Sequence, residues 1–121
     1  MVVPFELTDA EDAKLLVLAR AQRGRHVGGQ PTPEAAAVRD TDGRTYSASN
    51  VALGGLRLSA VQLAVAMAAS SGVTGLEAAL VVTASSSLAE SDVAVVRDFA
   101  GAGVPVHRVD TAGVVQSTTK T

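Results

Sequence analysis

The chain has no cysteine and no tryptophan, and only one tyrosine and two phenylalanines. Without cysteine there is no disulfide, no thiolate metal ligand and no thiol nucleophile. Aromatic residues make up 2% of the chain, too few to build stacking platforms for single-stranded nucleic acid. Positive charge is not in surplus either. Ten Lys and Arg stand against 12 Asp and Glu, a net charge of -2, so the clustered basic surface of a nucleic-acid binder is missing. Isoleucine is absent, asparagine occurs once, at Asn50, and lysine only at Lys14 and Lys120. No apolar run is long enough to span a bilayer, and the opening MVVPFELTDAED turns acidic rather than basic. We therefore expect a cytoplasmic protein with neither nucleic acid nor membrane as partner.

What is present is a 121-residue chain rich in Ala, Val and Gly, with no repeat or linker. It fits a single domain over residues 1–121, able to bury roughly two-thirds of its unfolded surface. Thr8 to Arg25 has helical periodicity, with Leu15, Leu16, Leu18 and Ala19 on one side and a capping box at Thr8 and Glu11. Its arginines, Arg20, Arg23 and Arg25, suit a helix C-terminus. The string GGQPTPE (28–34) is a loop. Two strands follow, Ala35 to Asp40 and Arg44 to Val51, joined by a hairpin at Asp42 and Gly43, with 52–55 as a connecting loop.

Leu58 to Ser71, LSAVQLAVAMAASS, opens with a capping box at Ser59 and Gln62 and is apolar or small on nearly every side. A helix with no polar stripe needs cover all round, so we expect a subunit contact through residues 58–72. Leu76 to Thr83 predicts a strand buried on both faces. Ser87 to Glu90 predicts a third capping box, opening a helix that Gly101 and Gly103 stop. Val104 to Val109 is a further strand, and Val114 to Ser117 one more before a polar tail. The order implies a three-layer α/β/α domain with a mixed sheet, its closing crossovers parallel and right-handed.

Several strings, in this order, resemble the cytidine deaminase family: AAAVRDTDGRTYSASNV, then SAVQLAVAMAASSG, then LVVTASSSLAESDVAVVRDFAGAGVPV. The resemblance runs from Leu15 to about Val109, and is closer still to short actinobacterial members whose metal set is absent. It implies a cytidine deaminase-like fold. It also implies a zinc site built from three ligands, with a glutamate to shuttle protons. The matching ligand positions here are Ser59, Ala89 and Asp92, and the glutamate position is Val61. The family's sugar-contacting asparagine matches Asn50, its partner glutamate matches Ala52, and no aromatic ring occupies the loop 28–34. A hydroxyl, a methyl and one carboxylate do not make a tetrahedral zinc site, so the expectation is no catalytic residue, no metal and no cofactor.

Ser59 and Ser87 have a structural explanation as helix caps, each worth roughly 1 kcal/mol. His107 beside Arg108, like His26 beside Arg25, reads as a surface or interface pair. Asp40, Asp42 and Asp110 belong to turns, and Asp92 to the first turn of its helix. Asn50, Ser59, Ser86 and Ser87 are the candidate ligand-binding residues of the former active-site pocket. The function expected is that of a catalytically inactive relative, an interaction, structural or regulatory protein. It would self-assemble as a homodimer or homotetramer and could take a further protein partner. One alternative is a non-catalytic module binding a nucleoside, nucleotide or anion at that pocket; the other is a deaminase-type hydrolase using different chemistry.

Overall fold

Short apolar strands alternate with amphipathic segments along the chain, and the computed structural model arranges them as a sheet between two helical layers. It describes residue 7, residues 9–23 and residues 33–121. Thr8, Arg25 and His26, and most of the loop 28–34, lie outside the described residues.

Helix α1 (Ala10–Arg23) is capped by Asp9, whose carboxylate accepts from the Glu11 amide at 2.7 Å and whose carbonyl accepts from Ala13 at 3.0 Å. Among the described residues the cap therefore falls on the aspartate following Thr8, which has the same acceptor chemistry on a shorter reach. Strands β1 (Ala35–Asp40) and β2 (Thr45–Ser49) form the expected hairpin. Its turn is longer than a two-residue Asp-Gly turn. Asp40 exchanges backbone bonds with Arg44 and Gly43, and Gly43 takes the left-handed conformation at φ 86°. The loop expected at 52–55 holds at 53–55, and it joins the two strands of a small ribbon, β3 (Val51–Ala52) and β4 (Arg57–Leu58), which takes in Ala52. Helix α2 (Ala60–Ser70), strand β5 (Leu76–Val82), helix α3 (Glu90–Ala100), strand β6 (Pro105–Val109) and strand β7 (Val115–Lys120) complete the chain.

The main sheet has the order β2-β1-β5-β6-β7. Strand β5 is its seam, antiparallel to β1 and parallel to β6. The parallel closing connection expected holds for β5–α3–β6 alone, since β7 returns antiparallel through a tight turn. That turn, Asp110-Thr-Ala-Gly113-Val114, repeats the Asp40-Thr-Asp-Gly43-Arg44 design. In each, the leading carboxylate accepts from two turn amides, at 2.8 and 3.0 Å for Asp40 and 3.0 and 2.9 Å for Asp110. The strand expected from Val114 to Ser117 is present and runs on through the polar tail as the edge strand β7. Threonine is β-branched and suits a strand with one side in water.

Helix α1 covers one face of the sheet, and α2 and α3 lie side by side on the other. Leu15, Ala19, Leu80, Val82 and Val109 fill the first interface; Val38, Val61, Val65, Val81, Val96 and Val106 fill the second. Every residue of β1 is buried, including Arg39 and Asp40. Arg39 donates to Asp12 of α1 at 2.8 Å and reaches Glu77 at 3.5 Å. Burial opposes its charge, but the hydrogen bond and negative charge of Asp12, with Glu77 behind, hold its pKa above the ordinary value. Asp12 also bonds Nε2 of His107 at 3.0 Å, while Nδ1 meets the Thr118 hydroxyl at 2.7 Å. His107 is thus a buried tie between α1 and the β6–β7 hairpin, not the surface or interface pair with Arg108 expected. Neighbouring strand residues point to opposite faces, so His107 looks toward α1 and Arg108 toward α3.

Candidate functional site

The carboxyl end of β5 and the N-termini of α2 and α3 converge on one small cavity of about 170 Å³. Its geometry starts from the capping box of α2, which forms as the sequence indicates. Ser59 Oγ accepts from the Gln62 amide at 3.0 Å, and the Gln62 side chain accepts from the Ser59 amide at 2.8 Å. The Ser59 hydroxyl proton then goes across the cavity, donated to Asp92 Oδ1 at 2.6 Å. Burial pushes the Asp92 carboxyl above its usual range, and the Ser59 hydrogen bond draws it partly back.

The capping box expected at Ser87 does not form. Helix α3 starts at Glu90 behind Ala89, which makes no side-chain cap. Ser85 takes its own local bonds instead, donating to the Ser87 carbonyl at 2.9 Å, and Glu90 and Asp92 supply the first-turn negative charge. Ser87 is exposed and touches the cavity. Ser86, also exposed, lines a separate groove on the far side of α3. Asn50 is not among the residues lining the cavity. Its Oδ1 accepts from the Glu34 amide at 2.9 Å and its own amide donates to the Glu34 carbonyl at 3.3 Å, so it fixes the approach to β1.

Two cavity residues escape the sequence reading. The Glu34 carboxylate accepts from Thr83 Oγ1 at 2.5 Å, and Thr83 Oγ1 accepts from the Ser85 amide at 3.0 Å. Glu34 ends a loop-like string and Thr83 ends a buried strand, so nothing in their spacing signals a shared cavity. Only the fold brings them together across 49 positions of sequence.

This donor set does not fit zinc. Ligands around a tetrahedral zinc at about 2.0–2.2 Å stand well over 3 Å from one another. Ser59 and Asp92 lie 2.6 Å apart and are bonded directly to each other. Ala89 offers a methyl group, Glu34 is engaged by Thr83, and among the described residues no three His, Cys, Asp or Glu side chains group to hold a metal. Val61 is 1% exposed and packs in the core, with no proton to give.

A solved cytidine deaminase from Burkholderia pseudomallei superposes on this chain with a TM-score of 0.79 at 21% identity, covering 89% of this chain and 91% of that one. The cytidine deaminase from Mycobacterium leprae gives 0.72 at 22% identity over 91% and 94% of the two chains. That from Mycobacterium tuberculosis gives 0.71 at 22% identity over 81% and 85%. A search of the curated proteins returns no match. The family model described as cytidine deaminase-like matches residues 8–113, nearly the whole chain, and the sheet order and helix placement agree with it. The chain belongs to the cytidine deaminase-like family.

Proposed function

We propose that this protein is a catalytically silent member of its family that acts by self-assembly and interaction. The observation that carries the reading is the direct Ser59–Asp92 hydrogen bond where the family resemblance implies metal ligands, with Ala89 beside it and Val61 in the core. Water activation by a bound ion and proton transfer by a glutamate each lower the barrier of deamination by several kcal/mol. Neither has the side chains it needs here. The cavity is also small, about 170 Å³ against the roughly 300–1,000 Å³ usual for ligand pockets.

Support for assembly comes from α2. Its inward face, Ala60, Val61, Ala64, Val65 and Ala68, is buried, while Ala66, Met67 and Ala69 face outward with no charge among them. At the adjoining ribbon Leu53 and Leu56 are 51% and 49% exposed. A second copy covering this side, in a cytoplasmic dimer or tetramer, would remove that apolar surface from water. Sedimentation equilibrium, metal analysis and a cytidine-to-uridine assay after zinc supplementation test the reading together. It predicts an oligomer at micromolar concentration, substoichiometric zinc and no turnover. Stoichiometric zinc or enzyme-like turnover would overturn the silent assignment, and a monomer would overturn the assembly.

A further inference from the structure

A larger concavity lies away from the site just described, between α3 and the β6–β7 hairpin, with a volume of about 660 Å³. One face of α3 forms its wall through Val93, Ala94 and Arg97, and Leu88 adds to the apolar part. Arg108, Ser117 and Thr119 rise from the sheet opposite. Arg108 and Ser117 are register partners on β6 and β7, so their side chains stand together on the α3 face.

The two guanidinium groups differ in a way that suits a ligand. Arg108 Nε donates to Ser117 Oγ at 3.2 Å and Nη1 to the Ser85 carbonyl at 3.2 Å. Those bonds fix the plane of its fork while leaving its charge unneutralised. Arg97 makes no side-chain hydrogen bond or ion pair among the described residues. Elsewhere the chain pairs its buried arginine, Arg39, with two carboxylates. In the groove two positive charges face one space with hydroxyl donors at Ser86, Ser87 and Thr119. The one acid in the lining among the described residues, Glu90, is seven positions from Arg97, about 10 Å along the helix.

We propose that this groove binds a phosphate monoester. Two guanidiniums match the charge of a phosphoryl group near neutral pH, and an arginine held in a fixed plane is prepared for paired bonds to two of its oxygens. The apolar wall of Leu88, Val93 and Ala94 receives the organic body. Among the described residues no aromatic side chain lines the groove, so the body is held by apolar contact rather than by stacking. The volume is that of an ordinary small-molecule site.

Calorimetric titration of the full-length protein with inorganic phosphate and with phenyl phosphate tests this. Phenyl phosphate binds more tightly than inorganic phosphate, and Arg97→Gln weakens its binding by about tenfold or more. Arg108→Gln does the same, and Arg57→Gln, outside the groove, leaves the affinity within about twofold. Arg97→Gln is the decisive variant, because that side chain holds no other part of the fold. Failure of phenyl phosphate to bind, binding unchanged by Arg97→Gln, or an equal loss in Arg57→Gln would each overturn the proposal.

Discussion

Replacing Ser59 with alanine removes two hydrogen bonds that meet at one oxygen. The first is the N-cap bond from the Gln62 amide, and losing it costs about 1 kcal/mol. The second is the bond to Asp92, a residue only 5% exposed whose carboxylate has Ser59 as its sole hydrogen-bond partner among the described residues. Stranding that acceptor adds about 1–3 kcal/mol. The expected loss is about 2–4 kcal/mol, which lowers Tm by roughly 10 °C in a domain of this size. Urea denaturation of Ser59→Ala, Asp92→Ala and the double variant measures it and gives the coupling between the two residues, expected at about 1–2 kcal/mol. The pH dependence has a definite sign. The folded pKa of Asp92 is raised, so the folded state binds the proton more tightly and stability falls as pH rises from the ordinary carboxylate range through the raised value. Without Ser59 the penalty for the buried charge grows, so the deficit of Ser59→Ala is larger near pH 7 than near pH 4. A loss under about 0.5 kcal/mol, a coupling of zero, or a deficit that grows toward acid pH would refute the reasoning.

Ser87→Ala, removing a side chain that caps nothing, changes the same urea midpoint by less than about 0.5 kcal/mol. Arg39→Met removes one of the two partners of the buried Asp12 and lowers stability by about 3 kcal/mol, and Asp12→Leu, which takes the partner from both Arg39 and His107, costs at least as much in chemical denaturation. Burial pushes Asp40 up, but the Tyr46 hydroxyl at 2.8 Å and the amides of Arg44 and Asp42 outweigh it and hold its pKa below the usual value. Stability from that group is present above the unfolded pKa and is lost as pH falls through the folded one. Tyr46→Phe therefore loses most at pH 7 and least near pH 2, as followed by acid titration of the urea midpoint. Gly43→Ala costs about 1 kcal/mol for its left-handed backbone. Gly113→Ala costs about the same, because the atom nearest an added Cβ, Arg20 Nη1 at 2.7 Å, is the end of a flexible exposed side chain that can move aside; thermal melts compare the two.

Local signals in the sequence were legible where one residue type has one physical use. The Ser59 and Gln62 box, the buried run of β5, the β1–β2 pair and the stop at Gly101 all appear in the structure. The Ser87 box looks identical on paper and fails, because α3 starts at Glu90 behind Ala89, two positions too late for Ser87 to be the N-cap. Asp92 and Ser59 were visible as matched positions, but their direct bond depends on how α2 and α3 sit side by side. Glu34 with Thr83, and Asp12 with Arg39 and His107, are pairings across distant sequence that no spacing rule can register. The second half of the edge strand β7 escaped for the opposite reason: its polarity signals solvent, and an edge satisfies that while still pairing with β6.

The sheet is stitched from two prefabricated halves. Each hairpin, β1–β2 and β6–β7, closes over a short aspartate-led turn, a local event of about 1–10 μs. Strand β5 must then join them, zipping antiparallel along one and parallel along the other over residues distant in sequence. Assembly kinetics are accordingly governed by Leu76–Val82, where loop-closure entropy is largest, and damage to that strand slows folding more than damage to either turn.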